Sequence, residues 1–513
     1  MLKEKFIFEH ELYAVKQGRD QRKIPAFLLE KCVVYNKSMS EKIVQICSEK
    51  KDEDFMMQGM MKKERKRGSS VLEVDLLHGN ILKSLLIFAI PLMISQAFQQ
   101  FYNAVDTMIV GNYLGDRSLA AIGSCASIYE LLVGFSLGIG NGLSIVAARS
   151  YGAGNEDQLK RAVTGSVVIG VGVTTVLAII SQTFLHPLLV LLGTPETILE
   201  EAYSYISLIT LFVGIMFAYN LFAGLLRAIG NSVMPLVFLI ISSILNVILD
   251  IVFITRFQMG IRGAAVATVI AQGISAVLCL LYIWKCCPIL IPERKHWKVG
   301  TKLYKELLGQ GFSMGLMSGI VSLGSVILQA GINNFGYLII AGHTSARKIH
   351  SFCCMPIVTL GMALATFISQ NRGAGQKERI RKGVRYANLL SLAWGTILTI
   401  FLYLAADVLV RFLSGSSELE VLENGARYLR INGPFYMVLG ILLNMRNALQ
   451  GLGSKLVPLI SSGIELIGKV LFVLLIIPGM GYLGVIICEP VIWCFMCAQL
   501  LWSFYRHPFM RKE

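Results

Sequence analysis

Charged residues are scarce in this chain of 513 residues. They make up 15% of it, whereas apolar residues make up 55% and the mean hydropathy is +0.63. A water-soluble multidomain protein of this length would carry more charge. The sequence also lacks the long alternating strands between turns that are typical of an outer-membrane β-barrel. Both absences indicate a protein whose apolar segments cross a membrane as helices.

Motifs of catalysis are also missing. The segment closest to a Walker sequence ends in Val470 where Ser or Thr is needed, and H-E-x-x-H does not occur. A G-x-S-x-G pattern around Ser313 opens an apolar helix rather than a strand-to-helix elbow. Among eleven cysteines the one C-x-x-C, Cys494 to Cys497, lies inside an apolar segment without a second pair. We therefore expect no enzyme, no bound cofactor and no metal site.

Twelve apolar stretches have the roughly 20 residues that a helix needs to cross the hydrocarbon of a bilayer. Six lie in each half of the chain, with a basic connection between the two sets. We therefore expect an all-α polytopic membrane protein of twelve transmembrane helices. The predicted spans are 81–110, 119–148, 162–185, 203–226, 234–254 and 261–284, then 307–332, 338–368, 386–412, 428–449, 457–477 and 482–502.

The two halves repeat the same short segments. The Gly-Ala-Gly turn at 152–154 recurs at 373–375, and the segment 227–235, with glycine fourth and proline ninth, recurs at 450–458. Because each unit holds an even number of spans, both copies enter the membrane in the same direction. Such a duplication, two parallel six-helix repeats around an axis along the membrane normal, points to a transporter. The expected units are an N-lobe over residues 76–295 and a C-lobe over residues 296–513.

The formal net charge of +15 does not indicate a nucleic-acid partner. Its basic residues concentrate in the connections that follow every second span, most of all in 285–305 and 372–385, and the opposite connections hold few. By the positive-inside rule, both termini and the central linker face the cytoplasm. The expected surroundings are membrane lipids.

Residues 1–75 form a basic N-terminal extension with no stretch long enough to span a membrane. A secretory signal is excluded, since no apolar core of suitable length follows the first charges. The extension could be a tail whose basic cluster at 62–67 binds anionic lipid headgroups. We favour a disordered segment or a mis-annotated start, with translation beginning at Met60 or Met61.

Ionisable residues inside apolar helices are the strongest candidates for function. A carboxylate near the bilayer centre costs about 2.5–3.5 kcal/mol on insertion scales, so it is normally turned inward, paired or functional. On the first span Gln99, Asn103 and Asp106 follow the i, i+4, i+7 spacing, and Tyr102 lies one turn before Asp106. This spacing predicts a polar stripe along an otherwise apolar helix.

The fifth span carries a second polar stripe. Ser243, Asn246 and Asp250 share one face of it. If the two stripes meet, Asp106 and Asp250 share a desolvated pocket that can bind and release a proton. The alternative is structural: Asp106 caps a broken helix, and Asp250 lies in water near the outer interface.

The second half does not copy this pair of acids. Alignment of the two halves by their prolines places Lys469 opposite Asn246 and Val473 opposite Asp250. Glu465 and Lys469 lie one turn apart, which predicts a structural ion pair within one helix. A substrate site or a second coupling site is the alternative.

From residue 76 to its end, the chain resembles the multidrug and toxic compound extrusion (MATE) transporters in their bacterial branch. The resemblance rests on five segments in order: Gln100-Phe-Tyr102-Asn103-Ala-Val-Asp106 with the residues up to Gly115, the turn 152–154, Leu225-Leu-Arg227-Ala-Ile-Gly230-Asn, Leu245-Asn246-Val-Ile-Leu-Asp250, and Gly263-Ala-Ala-Val-Ala-Thr268.

This resemblance implies a secondary active antiporter. Such a protein exports drug-like, often cationic, organic compounds in exchange for protons or sodium, through a cleft open to one side at a time. Carried over residue by residue, the ion-coupling site comprises Asp106, Asn246, Asp250 and Thr268. The residues expected to line the cleft or contact substrate are Gln99, Tyr102, Asn103 and Asn220.

The resemblance also bears on the second half and on the alternatives. Some relatives have an acidic cluster in the C-lobe where this chain has Gln310, Asn444 and Arg446, which argues against a sodium site there. A flippase of a lipid-linked precursor, in the same superfamily, is the alternative function. It should line its cleft with several cationic residues, whereas the intramembrane charges of the first half are mostly acidic. We expect a monomer in the bacterial cell membrane.

Overall fold

The computed structural model describes residues 73–511, which form a bundle of helices with no β-strand in that range. The predicted all-α fold of two six-helix halves is confirmed. Almost all of the predicted extension over residues 1–75 lies outside the described residues, so the predictions of its disorder and of its start stay predictions. The division into lobes at residues 295 and 296 also stays a prediction.

Twelve membrane helices follow one another within residues 73–511, and α4, α5, α10 and α11 are each made of more than one segment. The first half holds α1 (Ile81–Leu114), α2 (Asp116–Gly152), α3 (Glu156–Leu191), α4 (Glu196–Leu211 and Val213–Ala228), α5 (Val233–Ile251, then a π-helical turn Val252–Arg256) and α6 (Ile261–Cys286). The second half holds α7 (Thr301–Ile332), α8 (Tyr337–Gly373), α9 (Lys377–Ser414), α10 (Leu419–Asn432 and Tyr436–Gly451), α11 (Leu456–Leu471, a π-helical turn Phe472–Ile476, and Ile477–Met480) and α12 (Tyr482–Arg506).

Membrane-spanning character is clear for most of these helices. Ten of those described are long and apolar enough to cross a membrane, and the two segments of α4, bent by 46° from each other, make an eleventh. The remaining helix, α10, has the same two-segment build at the matching place in the second half. Its first segment is polar because it carries Glu420, Glu423, Arg427 and Arg430. The repeat therefore extends to the broken fourth helix of each half.

The helices are longer than the spans predicted from hydropathy. α7 begins at Thr301 and α9 at Lys377, six and nine residues before the predicted starts. These added turns are charged and lie outside the apolar part, which is all that hydropathy detects. The start of α1 is fixed instead by Asn80, whose side chain accepts a hydrogen bond from the Lys83 amide.

The two Gly-Ala-Gly turns pack against each other where α2 and α8 end. A Cβ on Gly152 would lie 2.0 Å from the carbonyl oxygen of Gln370, and one on Gly373 would lie 2.1 Å from that of Arg149. Their last glycines, Gly154 and Gly375, adopt φ of +67° and +72°. Only glycine meets both demands at low cost, which explains why the turn recurs in the sequence. We call this end of the bundle, where residues 287–300 connect the halves, the linker end.

Helices α2 and α7 form the seam between the halves. A Cβ on Gly142 would lie 2.5 Å from the backbone of Gln310, and one on Gly138 would lie 2.6 Å from that of Met314. Gly134, one turn further from the linker end, has nothing within 4 Å. The close backbone packing of α2 on α7 is therefore found near the linker end.

Side chains of α2, α7 and α8 tie the halves together at the linker end. Ser369 donates a hydrogen bond to the Ile145 carbonyl at 2.6 Å, and Gln370 donates one to the Ala228 carbonyl at 2.8 Å. Arg149 pairs with Glu306. Among the described residues no hydrogen bond or ion pair joins α1–α6 to α7–α12 at the opposite end. In the described residues the polar contacts between the halves therefore close the bundle at the linker end.

The segment that precedes α1 reinforces this closure. The Val74 amide donates to the Gly230 carbonyl in the first half at 3.0 Å. Leu76 is 1% exposed, and its carbonyl accepts from Asn371 at 3.1 Å and from Arg379 at 3.2 Å, both in the second half. Residues 73–80 thus bridge the halves beneath the cleft.

Candidate functional site

Two acidic side chains are buried inside the first half. Asp106 of α1 is 9% exposed, and Asp250 of α5 is fully buried. Their carboxyl groups lie close enough to interact with each other. Since a carboxylate ion only accepts hydrogen bonds, a hydrogen bond between the two groups would need a proton on one of them. The structure thus brings together the two acids whose meeting the sequence left open.

The polar stripe of α1 reaches the pocket through two of its four members. Tyr102 and Asp106 are buried one turn apart, whereas Asn103 is exposed and Gln99 is half-buried. Residues four apart share one side of a helix, and the turn from 102 to 106 is the one that faces α5. Asn220, on the second segment of α4, donates its amide to the Met216 carbonyl of its own helix at 2.8 Å and lies outside this pocket.

Helices α5 and α6 complete a polar pocket beside the acid pair. Asn246 and Thr268 are 1% and 5% exposed, and Gln272 is 7% exposed. The pocket has no free volume for a water molecule. A site this tight suits a proton better than an organic compound. Its lining residues are Tyr102, Ser242, Ser243, Asn246, Thr268, Ala271 and Gln272.

Polar atoms of this pocket lack partners. With both acids ionised, neither Asp106 Oδ1 nor either carboxyl oxygen of Asp250 has a donor among the described residues. Both polar atoms of the Asn246 amide and Gln272 Oε1 are also without one. Buried polar groups are nearly always hydrogen-bonded, and exceptions often mark sites that act on protons or ions. These unpaired polar atoms distinguish the pocket from ordinary helix packing.

The second half holds a different, compensated cluster. Lys469 contacts Glu465 at 3.0 Å and Glu489 at 3.7 Å. Arg446 lies 3.5 Å from Glu465, and Arg347 lies 2.6 Å from Glu489. Each buried carboxylate therefore has two basic partners, whereas the acid pair of the first half has none among the described residues. The predicted Glu465–Lys469 pair is thus one part of a network across four helices.

Glu465→Gln should destabilise the protein by about 3–5 kcal/mol, because it leaves Arg446 without its carboxylate inside the second half. Ion-coupled flux of the surviving folded protein should be unchanged if the cluster is structural. Thermal unfolding in detergent and flux in vesicles measure the two effects. The matched control is Asp407→Asn, which removes an exposed pair with Arg430 and should change stability little. Unchanged stability with altered coupling would make Glu465 a second coupling site.

A small cavity lies at the apex of the cleft, where both halves meet. Its volume is about 50 Å³, and no acidic side chain lines it. Arg227 is its one charged lining residue. The cavity is lined by Leu92, Asn141, Ser144, Ile145, Arg227, Met314, Met362, Ala365, Thr366 and Asn447.

Comparison with known proteins agrees with this architecture. The model of the MatE family matches residues 91–252 and, separately, residues 314–475, which together are more than half of the chain. The chain belongs to the MatE family. Its two matches coincide with the two halves, so the repeat read from glycine and proline spacing is a repeat of the MatE unit.

Several known proteins are similar to most of this MatE chain. A probable multidrug resistance protein of Bacillus subtilis, YoeA, is 28% identical over 447 residues, covering 85% of this chain and 95% of that protein. A FAD transporter of Shewanella oneidensis is 25% identical over 388 residues, covering 73% and 83%. A solved MATE transporter, described as outward-facing, shares the fold with a TM-score of 0.79 at 21% identity, covering 87% and 100%. The chain is thus a multi-pass membrane protein of a bacterial transporter family.

Two contacts of this MatE protein were not predicted from its sequence. Gln272 joins the acid pocket, and its position four residues after Thr268 could have placed it there. The pairing of Arg347 with Glu489 joins α8 to α12 across 142 positions, and no local spacing signals it.

Proposed function

We propose that the protein is a secondary active antiporter that exports drug-like organic compounds, cationic ones among them, in exchange for a coupling ion. The observation that carries the proposal is the buried pair of Asp106 and Asp250, which lacks basic partners in the described residues and adjoins unpaired polar groups. Membership of a transporter family supports a role of this pair in coupling rather than in catalysis.

The coupling ion is a proton, or sodium in its place, and the tight pocket favours the proton. With one shared proton the pair carries a single negative charge, and with two it is neutral. Loss of protons restores negative charge inside the first half, which draws a cationic compound toward the cleft. Each elementary charge that crosses the membrane contributes about 2.3 kcal/mol per 100 mV, which is enough to drive accumulation tenfold or more.

Helix α1 is the element that can transmit protonation to the cleft. It carries Asp106 into the pocket and Leu92 to the apex cavity, and Pro91 interrupts its hydrogen bonding beside Leu92. We propose that a change of charge at Asp106 bends α1 near Pro91. This bend loosens the contacts of the linker end, and the halves rock so that the cleft opens there.

The linker end is the cytoplasmic end in this proposal. Basic residues gather there, as the positive-inside rule requires, so both termini face the cytoplasm and the described conformation opens outward. The protein acts as a monomer in the bacterial cell membrane. A lipid-precursor flippase is not favoured, since the apex cavity contains one cationic side chain rather than the several that a phosphate-bearing lipid needs.

Flux into vesicles tests the function. Purified protein in sealed vesicles should move a fluorescent organic cation when a pH gradient is imposed. A sodium gradient alone, with the pH equal on both sides, should drive less movement. Flux of a lipid-phosphate precursor, with none of the organic cations, would favour the flippase. Equal movement with and without any ion gradient would contradict the proposed coupling.

A further inference from the structure

Arg227 is an unpaired cation at the base of the cleft. Among the described residues no carboxylate lies within ion-pairing distance of its guanidinium group. Every other residue that lines the apex cavity is uncharged. Arg227 is half-buried, and a guanidinium partly withdrawn from water inside a membrane protein is usually paired or serves a ligand. Its position therefore needs an explanation.

Helix geometry does not explain why Arg227 is charged. Arg227 ends α4, where a basic side chain interacts favourably with the helix dipole. The matching turn of the second half ends α10 with the same glycine and proline spacing, and there Gln450 takes the place of the arginine. Because the same turn forms without a charge in one copy, the charge in the other copy is not required for folding the turn.

The cavity has the size and chemistry of an anion subsite. Its volume of about 50 Å³ admits a single small group and excludes a whole drug-like molecule. Asn141, Thr366 and Asn447 add amide and hydroxyl groups beside the guanidinium. The amide of Asn447 donates to the Leu443 carbonyl, and the Ser144 hydroxyl donates to the Asn141 carbonyl, so both side chains keep oxygen atoms for a bound water. A planar guanidinium matches the two oxygens of a carboxylate.

We propose that Arg227 binds the anionic group of an amphiphilic compound, so the substrates include molecules with a carboxylate or a similar oxyanion. The small anionic group enters the apex cavity, and the apolar or cationic body stays in the open cleft above it. This inference rests on the proposed export function and narrows its substrate class. It also separates two charges: the acid pair inside the first half holds the coupling ion, and Arg227 selects the cargo.

Binding of a matched pair of dyes tests the subsite. The probes are a fluorescent xanthene dye with a free carboxylate and its methyl ester, and their binding is measured by anisotropy in phosphatidylcholine nanodiscs without an ion gradient. The protein should bind the acid more tightly than the ester. Arg227→Gln, which installs the residue of the second half, should weaken acid binding about tenfold to a hundredfold and leave ester binding unchanged.

Three further variants separate charge from packing. Arg227→Lys should keep much of the acid preference, because it keeps the positive charge. Asn447→Asp places a carboxylate in the same cavity and should reduce acid binding while Arg227 remains in place. Met362→Leu, an apolar change on the same cavity wall, should leave the preference unchanged. Equal binding of acid and ester, or a preference that survives in Arg227→Gln, would overturn the subsite.

Two additional measurements keep the inference apart from the proposed function. Export of the ester under a pH gradient should persist in Arg227→Gln, so loss of the subsite leaves the transporter working. If the protein exports neither dye, yet its acid preference follows Arg227, the export proposal fails and the subsite stands.

Phosphatidylglycerol should not displace the acid dye. Displacement that depends on Arg227 would assign the site to lipid headgroups and overturn the substrate class.

Discussion

Asp106→Asn should reduce ion-driven efflux to the background of empty vesicles while leaving the protein folded. Asparagine has the shape of aspartate but takes up no proton, so the proton that we propose the two acids share can no longer be held between them. Removal of a buried carboxylate without a basic partner also removes a desolvation cost, so thermal stability should stay the same or rise. Flux under a pH gradient and thermal unfolding of the same preparation give both quantities.

Asp250→Asn should behave in the same way, because the two carboxyl groups act as one site. The matched control is Glu130→Gln, which neutralises an exposed carboxylate of α2 outside the pocket and should keep its flux. Full efflux in Asp106→Asn, or an equal loss in Glu130→Gln, would remove the acid pair from the mechanism.

Gly152→Ala should have the second large effect. Its Cβ would lie 2.0 Å from the Gln370 carbonyl oxygen, so the ends of α2 and α8 must move apart. Overpacking of this kind typically costs about 1–3 kcal/mol, and here the clash is with backbone that cannot rotate away. The conformation closed at the linker end should lose population to one that is open there.

Distance measurements between spin labels on the ends of α2 and α8 would detect this shift, with longer distances expected in Gly152→Ala. Gly134→Ala is the matched control, since nothing lies within 4 Å of a Cβ there and the helix gains a better helix former. Unchanged distances in Gly152→Ala would show that the two turns are not in contact in the membrane.

Much of the site in the first half could be predicted from the sequence, because a charged side chain inside an apolar helix is costly in lipid. Asp106 and Asp250 interrupt apolar helices, and an acid in that setting must turn inward, so the sequence indicated that the two stripes could meet. The glycine turns at 152–154 and 373–375 were visible as a repeat. Their contact with each other was not, since it depends on how the two copies are arranged in space.

The remaining features depend on tertiary packing. The spacing in the sequence paired Glu465 with Lys469, but it did not predict that Glu489 of α12 and Arg347 of α8 join them. Arg227 was noted only as part of a family segment, because nothing local shows that a basic residue will lack a carboxylate partner. The polar stripe predicted on α1 also contained more residues than the pocket buries. Asn103 is exposed, since a helix facing a narrow pocket buries only the residues of one turn.

Infrared difference spectroscopy of purified protein tests the shared proton most directly. The spectrum of the substrate-free protein at neutral pH should contain the C=O band of a buried protonated carboxyl group, and that band should fall when substrate binds. It should be absent in the Asp106→Asn and Asp250→Asn double variant and present in Glu130→Gln. A spectrum in which both acids are ionised at neutral pH, with or without substrate, would contradict the account.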